Sequence, residues 1–386
     1  MGQLDGIVAA KLAQRREQGT FRSLNTSASL STGSVEGQVD FTSNDYLGFA
    51  RSKELKKRIS EAEKLFSETG VGSTGSRLLT GNSELAEDVE KQIAAFHGSE
   101  TALIFNSGYD ANVGLFSSLG RNVKYIVYDE LIHASVHDGM RLSRAEMKPF
   151  KHNDVSSLDE ILSSIDGNVI VAVESLYSME GDLAPLVELC EIVEKHNCDI
   201  IVDEAHAVGL FGKGRGRVSE LGLENNVFAR LVTFSKALGC HGAAVLGNDN
   251  LRQFLINHAR SLIFSTFTSN HTLIAIKSAY DMLSVVDYNK LIIRDIIKLF
   301  NQSIKGNENL MIIGGESPIL GVLVPGNDRV RAVANAVQND GFDVRSIVSP
   351  TVPKGTERIR ICLHEFNTEE EVVGLIASLR KALGNG

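Results

Sequence analysis

The chain of 386 residues has few cysteines, no long apolar run and fewer basic than acidic side chains, and each shortage excludes a class of protein. Its four cysteines are scattered and form no C-x-x-C pair, which predicts a reducing compartment and no metal site. No apolar stretch approaches the roughly 20 residues that a membrane-spanning helix needs. We therefore expect a cytoplasmic protein without a membrane span.

The charge balance argues against nucleic acid as a partner. The 39 basic and 48 acidic residues give a net charge of −9, whereas phosphate backbones require clustered Lys and Arg. An anionic substrate would then have to meet locally placed cations, because the overall field is negative. Residues 1–17 mix charges around a short apolar run, which indicates an amphipathic helix and not a secretory signal.

Short, continuously apolar segments alternate with helical patterns through most of the chain. This alternation predicts an α/β fold with a mostly parallel sheet covered by helices on both faces. The predicted strands are 102–105, 125–128, 169–173, 200–202 and 231–233. The predicted helices between and before them are 52–69, 83–96, 111–119 and 185–196, and an exposed connection is expected at 23–38.

The pattern changes after about residue 265. A long helical region at 273–300 leads into the segments 310–313, 320–324, 330–339, 344–347 and 358–363, which indicates a smaller α+β domain. Its last helix begins with a capping box formed by Thr368 and Glu371. We therefore divide the chain into an N-terminal segment, 1–50, a large domain, 51–265, and a small C-terminal domain, 266–386.

Two glycine-rich segments are poor matches to nucleotide-binding motifs. Gly70, Gly72 and Gly75 have the spacing of the dinucleotide fingerprint, but a charged helix precedes them where that motif needs a strand. We expect a flexible loop there. The segment 212–216 lacks the Walker A spacing and is also expected to be a loop.

The side chains most informative about function follow two predicted strands. Asp203 comes directly after one apolar run, and His206 lies three residues further on. Thr233 ends the next run, and Lys236 follows it with apolar neighbours on both sides. Ligands bind outside the carboxyl ends of parallel strands, so these groups should converge at one edge of the sheet. A carboxylate, an imidazole, hydroxyls and one sheltered lysine are what an enzyme needs to hold pyridoxal phosphate as a Schiff base.

Each of these residues also has a purely structural interpretation. Asp203 could cap a helix, His206 could be a structural histidine, and Lys236 could be a solvated surface charge. His133, near another strand end, could be structural or could stack on a planar cofactor. The segment 106–109 could be a plain turn or a phosphate site at a helix N-terminus. Individually these signals are weak, but their combination and order favour function.

Two arginines near the C-terminus alternate with apolar residues along a predicted strand. Arg358 and Arg360 should therefore share one face of that strand. An arginine in this position suits a structural salt bridge or the bidentate capture of a substrate carboxylate.

These residues belong to motifs that extend over nearly the whole chain. The motifs are 40–48 (DFTSNDYLG), 72–77 (GSTGSR), 177–182 (YSMEGD), 203–206 (DEAH) and 233–236 (TFSK). In them the chain resembles the α-oxoamine synthase family of fold-type-I pyridoxal-phosphate enzymes. Within that family, 233–246 and 350–353 are most similar to the members that condense alanine with a pimeloyl thioester in biotin synthesis. The resemblance implies a fold-type-I transferase with a mostly parallel central sheet and a smaller C-terminal domain.

The resemblance also implies a role for individual residues. Lys236 would carry the cofactor, Asp203 would pair with its pyridinium nitrogen, and His133 would stack on its ring. Further cofactor contacts are expected from His206, Ser178, Gly108, Tyr109 and Thr233. Substrate contacts are expected from Asn44, Arg22, His133, Thr351 and Arg360. Because the family is homodimeric with active sites at the interface, Ser265 and Thr266 are expected to reach the phosphate bound in the partner subunit.

The reaction that the resemblance implies is a decarboxylative condensation of a small amino acid with an acyl-CoA, in which Lys236 also moves the proton at Cα. Glycine C-acetyltransferase and serine palmitoyltransferase remain alternatives, since they use the same set of residues on other substrates. A nicotinamide oxidoreductase and a non-catalytic binding protein are alternatives of a different class. The presence of Lys236, Asp203 and His206 argues against the last of these.

Overall fold

The computed structural model describes residues 2–22, 24, 37–65, 70–305 and 310–384. Most of the predicted connection 23–38 and the end of the predicted helix 52–69, residues 66–69, lie outside the described residues. Contacts within the chain define two compact units. The large unit comprises residues 44–178 and 183–291, and the small unit comprises residues 1–43, 179–182 and 292–386.

The helices and strands are numbered in chain order. The helices are α1 Gln3–Glu17, α2 Lys53–Leu65, α3 Glu84–His97, α4 Gly108–Leu119, α5 Ala134–Arg141, α6 Val155–Ser163, α7 Leu186–Lys195, α8 Arg217–Glu220, α9 Asp249–His258, α10 Arg260–Ile263, α11 Asn270–Leu283, α12 Ile293–Ile304, α13 Asn327–Asn339 and α14 Glu369–Ala382. The strands are β1 Val39–Asp40, β2 Thr101–Phe105, β3 Tyr125–Asp129, β4 Glu146–Phe150, β5 Val169–Glu174, β6 Asp199–Asp203, β7 Ala229–Thr233, β8 Ala243–Gly247, β9 Ile312–Gly314, β10 Ile319–Leu323, β11 Phe342–Asp343, β12 Arg345–Ile347 and β13 Arg358–Cys362.

A seven-stranded sheet forms the centre of the large unit, in the order β2-β8-β7-β6-β5-β3-β4. The strands β7, β6, β5, β3 and β4 pair in parallel, whereas β8 runs antiparallel to both of its neighbours, β2 and β7. The predicted mostly parallel α/β fold is therefore confirmed.

The inner strands are largely apolar because both faces of the sheet are covered. Along β5, Val171 and Val173 belong to one hydrophobic cluster, whereas Ile170 and Ala172 belong to another. Alternate residues of a strand point to opposite faces, so each face supplies half of its side chains to a separate core. This double burial leaves the strand ends and the following turns as the places where polar groups can gather.

The structure differs from the predicted secondary structure in several places, and the strand β8 and the helices α5, α6 and α9 were not predicted. The helical region 273–300 is two helices, α11 and α12, because residues 284–292 form turns. The edge strand β4 was not predicted, since it contains two charged residues and a proline and is largely exposed. The predicted boundary at residue 265 also differs from the contact units, in which α11 belongs to the large unit because it packs against α2 and α3.

The glycine-rich segments form loops, as the sequence predicts. The element before Gly70 is the helix α2, residues 66–69 lie outside the described part, and a short helical turn at Arg77–Gly81 follows. The motif therefore lacks the strand-loop-helix arrangement of a dinucleotide site. The segment 212–216 contains one short 3₁₀ turn, Gly212–Gly214.

The small unit contains a four-stranded antiparallel sheet in the order β12-β13-β10-β9 and the parallel pair β1-β11. Helices α12, α13 and α14 pack together and share a core with these strands. The capping box predicted for the last helix is present, because the Thr368 hydroxyl accepts from the Glu371 N–H and the Glu371 carboxylate accepts from the Thr368 N–H. The N-terminal helix α1 also forms, but it buries none of its residues. Within the described residues, no helix is both long and apolar enough to cross a membrane.

Candidate active site

A cavity of about 220 Å³ lies in the large unit, at the edge where β2, β3, β6 and β7 end. Residues from the turns after these strands reach it, together with the first turn of α4. It is lined by Ser107, Gly108, Tyr109, Asn112, His133, Ser135, Glu174, Asp203, Ala205, His206, Leu231, Thr233, Ser235 and Lys236. The structure thus brings together seven of the residues that the sequence predicts for the site.

One end of the cavity is formed by the N-terminus of α4. The Ser107 hydroxyl caps this helix by accepting from the Asp110 N–H at 3.0 Å. Gly108 is needed for close packing here, since a Cβ at this position would lie 2.8 Å from Cγ2 of Thr233. The Thr233 hydroxyl donates to the Ala205 carbonyl at 3.1 Å. A helix N-terminus with exposed N–H groups and close backbone access is suited to a phosphate.

Asp203 supplies a buried carboxylate at the end of β6. Its Oδ1 accepts from the Ala205 N–H at 2.9 Å, and its Oδ2 accepts from Nδ2 of Asn112 at 2.8 Å. The side chain of Asp203 therefore has one donor for each oxygen while it still lines the cavity. A carboxylate held in this way can face a protonated ring nitrogen without needing water to stabilise it.

His206 lies three residues further on and is held by Tyr46. Its Nδ1 is 2.7 Å from the Tyr46 hydroxyl, which also donates to Oδ1 of Asn44 at 3.2 Å. The structure therefore links Asn44, a predicted substrate contact, to the imidazole through one buried tyrosine. The hydrogen bond at Nδ1 orients the ring so that Nε2 is the nitrogen that can contact a ligand.

His133 caps the N-terminus of α5 and presents its ring to the cavity. Its Nδ1 accepts from the Ser135 N–H at 3.2 Å and lies 2.7 Å from the Ser135 hydroxyl. Although the ring is solvent-accessible on the cavity side, the surrounding protein lowers the pKa of His133 by burial. The charge of Asp203 raises the pKa of His133 and the charge of Lys236 lowers it, so both groups act on the same imidazole.

Lys236 lies in the loop that joins the antiparallel strands β7 and β8. The loop is closed by hydrogen bonds from the Phe234 N–H to the Gly242 carbonyl, 2.9 Å, and from the Cys240 N–H to the Phe234 carbonyl, 2.7 Å. Gly239 has a positive φ of 61°, and a Cβ there would collide with the backbone of Ala50. The lysine is half-buried and lines the cavity that Asp203 also lines.

The remaining predicted residues lie elsewhere in the chain. In the large unit, Ser178, Ser265 and Thr266 are not among the residues that line the cavity, and the Thr266 carbonyl accepts from Nδ2 of Asn106 at 2.8 Å. In the small unit, Arg22 and Thr351 are exposed. Arg360 is half-buried on the inner strand β13, which pairs with β10 on one side and β12 on the other. Arg358, its neighbour on the same face, forms a salt bridge with Glu180 at 3.2 Å. This is the structural role that the sequence allowed for an arginine on this strand.

The cavity also contains residues that the sequence analysis did not identify. Asn112 and Ser135 contact predicted site residues directly, and Glu174 ends β5 opposite Asp203 in the strand register. Asn112 could have been found from its spacing, because it lies four residues after Gly108 and so on the same face of α4. The role of Ser135 depends on the turn that follows β3, for which the sequence carries no periodic signal.

Comparison with known proteins places this geometry in a family. The family model described as aminotransferase class I and II matches residues 36–378. An 8-amino-7-oxononanoate synthase of Emericella nidulans is 43% identical over 372 residues, 88% of each chain. A variant of the serine palmitoyltransferase of S. paucimobilis, solved with a bound PLP–myriocin aldimine, superposes with a TM-score of 0.89 at 25% identity over 100% of both chains. The 8-amino-7-oxononanoate synthase of Francisella tularensis gives a TM-score of 0.77 at 26% identity over 90% of this chain and 98% of that one.

The chain belongs to the aminotransferase class I and II family. Within that family it is an α-oxoamine synthase, as the motifs predict.

The cavity fits the cofactor of these enzymes. Its donors and acceptors match the parts of pyridoxal phosphate in order: helix N–H groups for the phosphate, a carboxylate for the ring nitrogen, an imidazole for the phenolic oxygen and a primary amine for the aldehyde. The absence of a side chain at Gly108 lets Thr233 pack directly against the first turn of α4. The residues that could hold the group are Gly108, Thr233, Asp203, His206, His133 and Lys236.

Proposed function

We propose that this protein is a pyridoxal-phosphate-dependent acyltransferase that condenses alanine with a pimeloyl thioester, releasing coenzyme A and carbon dioxide and giving 8-amino-7-oxononanoate. The observation that carries the proposal is the single cavity that Asp203, His206, His133 and Lys236 share at the carboxyl edge of the sheet. The 43% identity to an 8-amino-7-oxononanoate synthase supports this choice of substrates.

Each side chain has a separate task in holding the cofactor. The N-terminus of α4, with Thr233 beside it, binds the phosphate. Asp203 keeps the ring nitrogen protonated, since a buried anion stabilises an adjacent positive charge. His206 would contact the phenolic oxygen, and His133 would stack on the ring. When bound, pyridoxal phosphate supplies the electron sink that accepts the electron pair left on Cα of the amino acid.

Lys236 performs the proton transfers. Its Nζ would hold the cofactor, and once an amino acid is bound it would be available as a free amine. The amine then removes the proton from Cα, so that the carbon can attack the thioester carbonyl and expel coenzyme A. The β-keto acid that results loses carbon dioxide, and a proton returns to the same carbon. The half-buried position of Lys236 limits competition from water at these steps.

The substrate assignment is tested by offering each of three amino acids, alanine, glycine and serine, with pimeloyl-, acetyl- and palmitoyl-CoA and following thiol release. We expect the fastest release with alanine and pimeloyl-CoA. Release only with glycine and acetyl-CoA would replace the assignment by glycine C-acetyltransferase.

Serine palmitoyltransferase is the second candidate. The close superposition with the S. paucimobilis enzyme, at a TM-score of 0.89, favours it. Serine with palmitoyl-CoA as the best pair in the same panel would decide for this alternative.

The proposed substrate contacts are Asn44, Arg22, His133, Thr351 and Arg360, and Ser178 is proposed as a further cofactor contact. Arg360 is assigned to the amino-acid carboxylate, for which a guanidinium is a bidentate partner. Arg360→Lys should therefore raise the KM for the amino acid more than the KM for the thioester. An equal rise in both would remove Arg360 from this role.

We also propose that the protein is a cytoplasmic homodimer in which Ser265 and Thr266 reach the phosphate bound in the partner subunit. Exposed apolar side chains of the large unit support the pairing, namely Leu78, Leu79 and Phe264. The four cysteines, all free thiols, support a reducing compartment. Light scattering of the purified protein tests the dimer, and a monomer with full activity would contradict it.

A further inference from the structure

A row of hydrogen bonds joins Asp203, which is assigned to the nitrogen of the cofactor ring, to His133, which is assigned to stack on that ring. Nδ2 of Asn112 donates to Oδ2 of Asp203 at 2.8 Å and to Oγ of Ser135 at 3.0 Å. The Ser135 hydroxyl in turn lies 2.7 Å from Nδ1 of His133. Asn112 and Ser135 are both buried, and Oδ1 of Asn112 has no hydrogen-bond partner among the described residues.

The donor and the acceptor of every hydrogen bond between Asp203, Asn112, Ser135 and His133 can be assigned. A carboxylate only accepts, so the amide of Asn112 must turn its NH₂ group to Asp203, and its second hydrogen points to Ser135. A backbone N–H only donates, so Nδ1 of His133 must accept from the Ser135 N–H and is unprotonated. The Ser135 hydroxyl accepts from Asn112 and therefore donates its own hydrogen to the same Nδ1. The proton of the neutral imidazole is then on Nε2.

We propose that Asn112 and Ser135 are positioning residues, which orient the Asp203 carboxylate and hold His133 as the neutral Nε2–H imidazole. The proposal rests on the proposed function for the identity of the ring that these groups contact. The network itself consists only of the protein's own residues.

The neutral state of His133 needs this support because the charged groups around it shift its pKa in opposite directions. The charged and titratable groups that face it are Asp203 from β6, Lys236 from the loop after β7 and His137 from its own helix. The Asp203 anion alone would favour an imidazolium. An imidazolium against a ring with a protonated nitrogen would place two positive charges in contact. Two donors on Nδ1 favour the neutral form, since they can bond only to an unprotonated nitrogen.

The direct test is the titration of His133 by NMR in the apoprotein labelled with ¹⁵N-histidine, with His133→Gln to assign the signal. We expect the Nε2–H tautomer in the unaltered protein. Ser135→Ala removes one of the two donors and should raise the midpoint of His133 by about half to one pH unit. Asn112→Ala frees the Ser135 hydroxyl to turn to Asp203 and should change the midpoint in the same direction.

Ser118→Ala is the matched control, because Ser118 is a buried serine on the same helix whose hydroxyl bonds only to the helix carbonyls of Gly114 and Leu115. Its His133 titration should be that of the unaltered protein. The Nδ1–H tautomer in the unaltered protein, or one midpoint for all variants, would overturn the proposal. Asn112→Asp keeps the shape of the side chain and replaces the donor, so it covers the case in which Asn112→Ala does not fold.

The holoprotein gives a second readout. Asn112→Asp places a second carboxylate beside Asp203, so about tenfold weaker binding of pyridoxal phosphate is expected, with a pH dependence that Ser118→Ala lacks. If the unaltered protein shows no visible cofactor band, the proposed function fails, but the apoprotein titration still decides the roles of Asn112 and Ser135. The two failures are therefore distinguishable.

Discussion

Replacing Gly108 by alanine tests the packing at the phosphate end of the cavity. The new Cβ would lie 2.8 Å from Cγ2 of Thr233, which is closer than two carbon atoms can pack. One of the two elements, the first turn of α4 or the end of β7, must move. Overpacking of this kind costs about 1–3 kcal/mol, and a displaced helix N-terminus should weaken cofactor binding as well.

The structure provides a specific rescue for this variant. Thr233→Ser deletes Cγ2 and keeps the hydroxyl that donates to the Ala205 carbonyl. In the double variant, the nearest remaining atom to the new Cβ is Cδ2 of Leu231 at 4.0 Å, an ordinary van der Waals contact. Gly108→Ala with Thr233→Ser should therefore regain most of the stability and cofactor affinity that Gly108→Ala loses.

The measurements are the thermal unfolding temperature of the apoprotein and the dissociation constant of pyridoxal phosphate from its absorbance. A loss of 1–3 kcal/mol corresponds to a fall of roughly 2–12 °C for a unit of this size. The control is Gly6→Ala in the exposed helix α1, where a Cβ meets nothing within 4 Å and should be neutral or slightly stabilising. A stable, tightly binding Gly108→Ala variant, or a double variant no better than the single one, would refute the packing argument.

Three further outcomes follow from the structure. Lys236→Ala should lose the visible cofactor band, the adduct trapped by borohydride and coenzyme A release, whereas the exposed-lysine control Lys290→Ala should keep all three; near-normal turnover without Lys236 would contradict its role. Burial lowers the pKa of His97 to about 3. Between about pH 6.5 and 3 the unfolded chain therefore binds a proton at His97 that the folded protein excludes, and the free energy of unfolding falls as the pH falls through this range. At pH 5 this loss is about 2 kcal/mol, and His97→Gln should show a flatter acid limb of unfolding temperature against pH; an unchanged limb would count against it. Thr368→Ala removes the cap of α14 and should cost about 1 kcal/mol, measured as a lower unfolding temperature, whereas Thr368→Ser should cost little.

The sequence predicted the parts of the fold in which one local signal was sufficient. The strands β5, β6 and β7 each contain a short buried apolar run because both faces of the sheet are covered, and each was found. The strand β4 was missed because its sequence, Glu146–Phe150, is mostly exposed at the edge of the sheet. The region 273–300 was predicted as one helical stretch because its apolar residues continue through the turn at 284–292, where only tertiary contacts separate α11 from α12.

The same distinction holds for the site. Asp203 and Lys236 were found because a polar group directly after a buried strand is a local signal. Tyr46 was not assigned, because its contact with His206 joins residues 160 positions apart. The contact of Asn112 with Asp203 also joins distant residues, 91 positions apart, so the only local signal for Asn112 is its place four residues after Gly108. Side chains that orient other side chains depend on such pairings, which a single sequence does not reveal.

The loop that carries Lys236 determines which property of the site is lost first when the protein is destabilised. All strands of the seven-stranded sheet lie in the described part of the chain. Among the connections between strands that follow one another in sequence, only the one from β7 to β8 contains no helix. The amine is thus presented by a short-range hairpin, whereas the carboxylate and the imidazoles arrive through crossovers of long sequence separation. A variant loosened in the covering helices should therefore keep a reactive amine and lose the groups that select its ligand. Such a protein would react with simple aldehydes indiscriminately, and chemical promiscuity would precede loss of the fold.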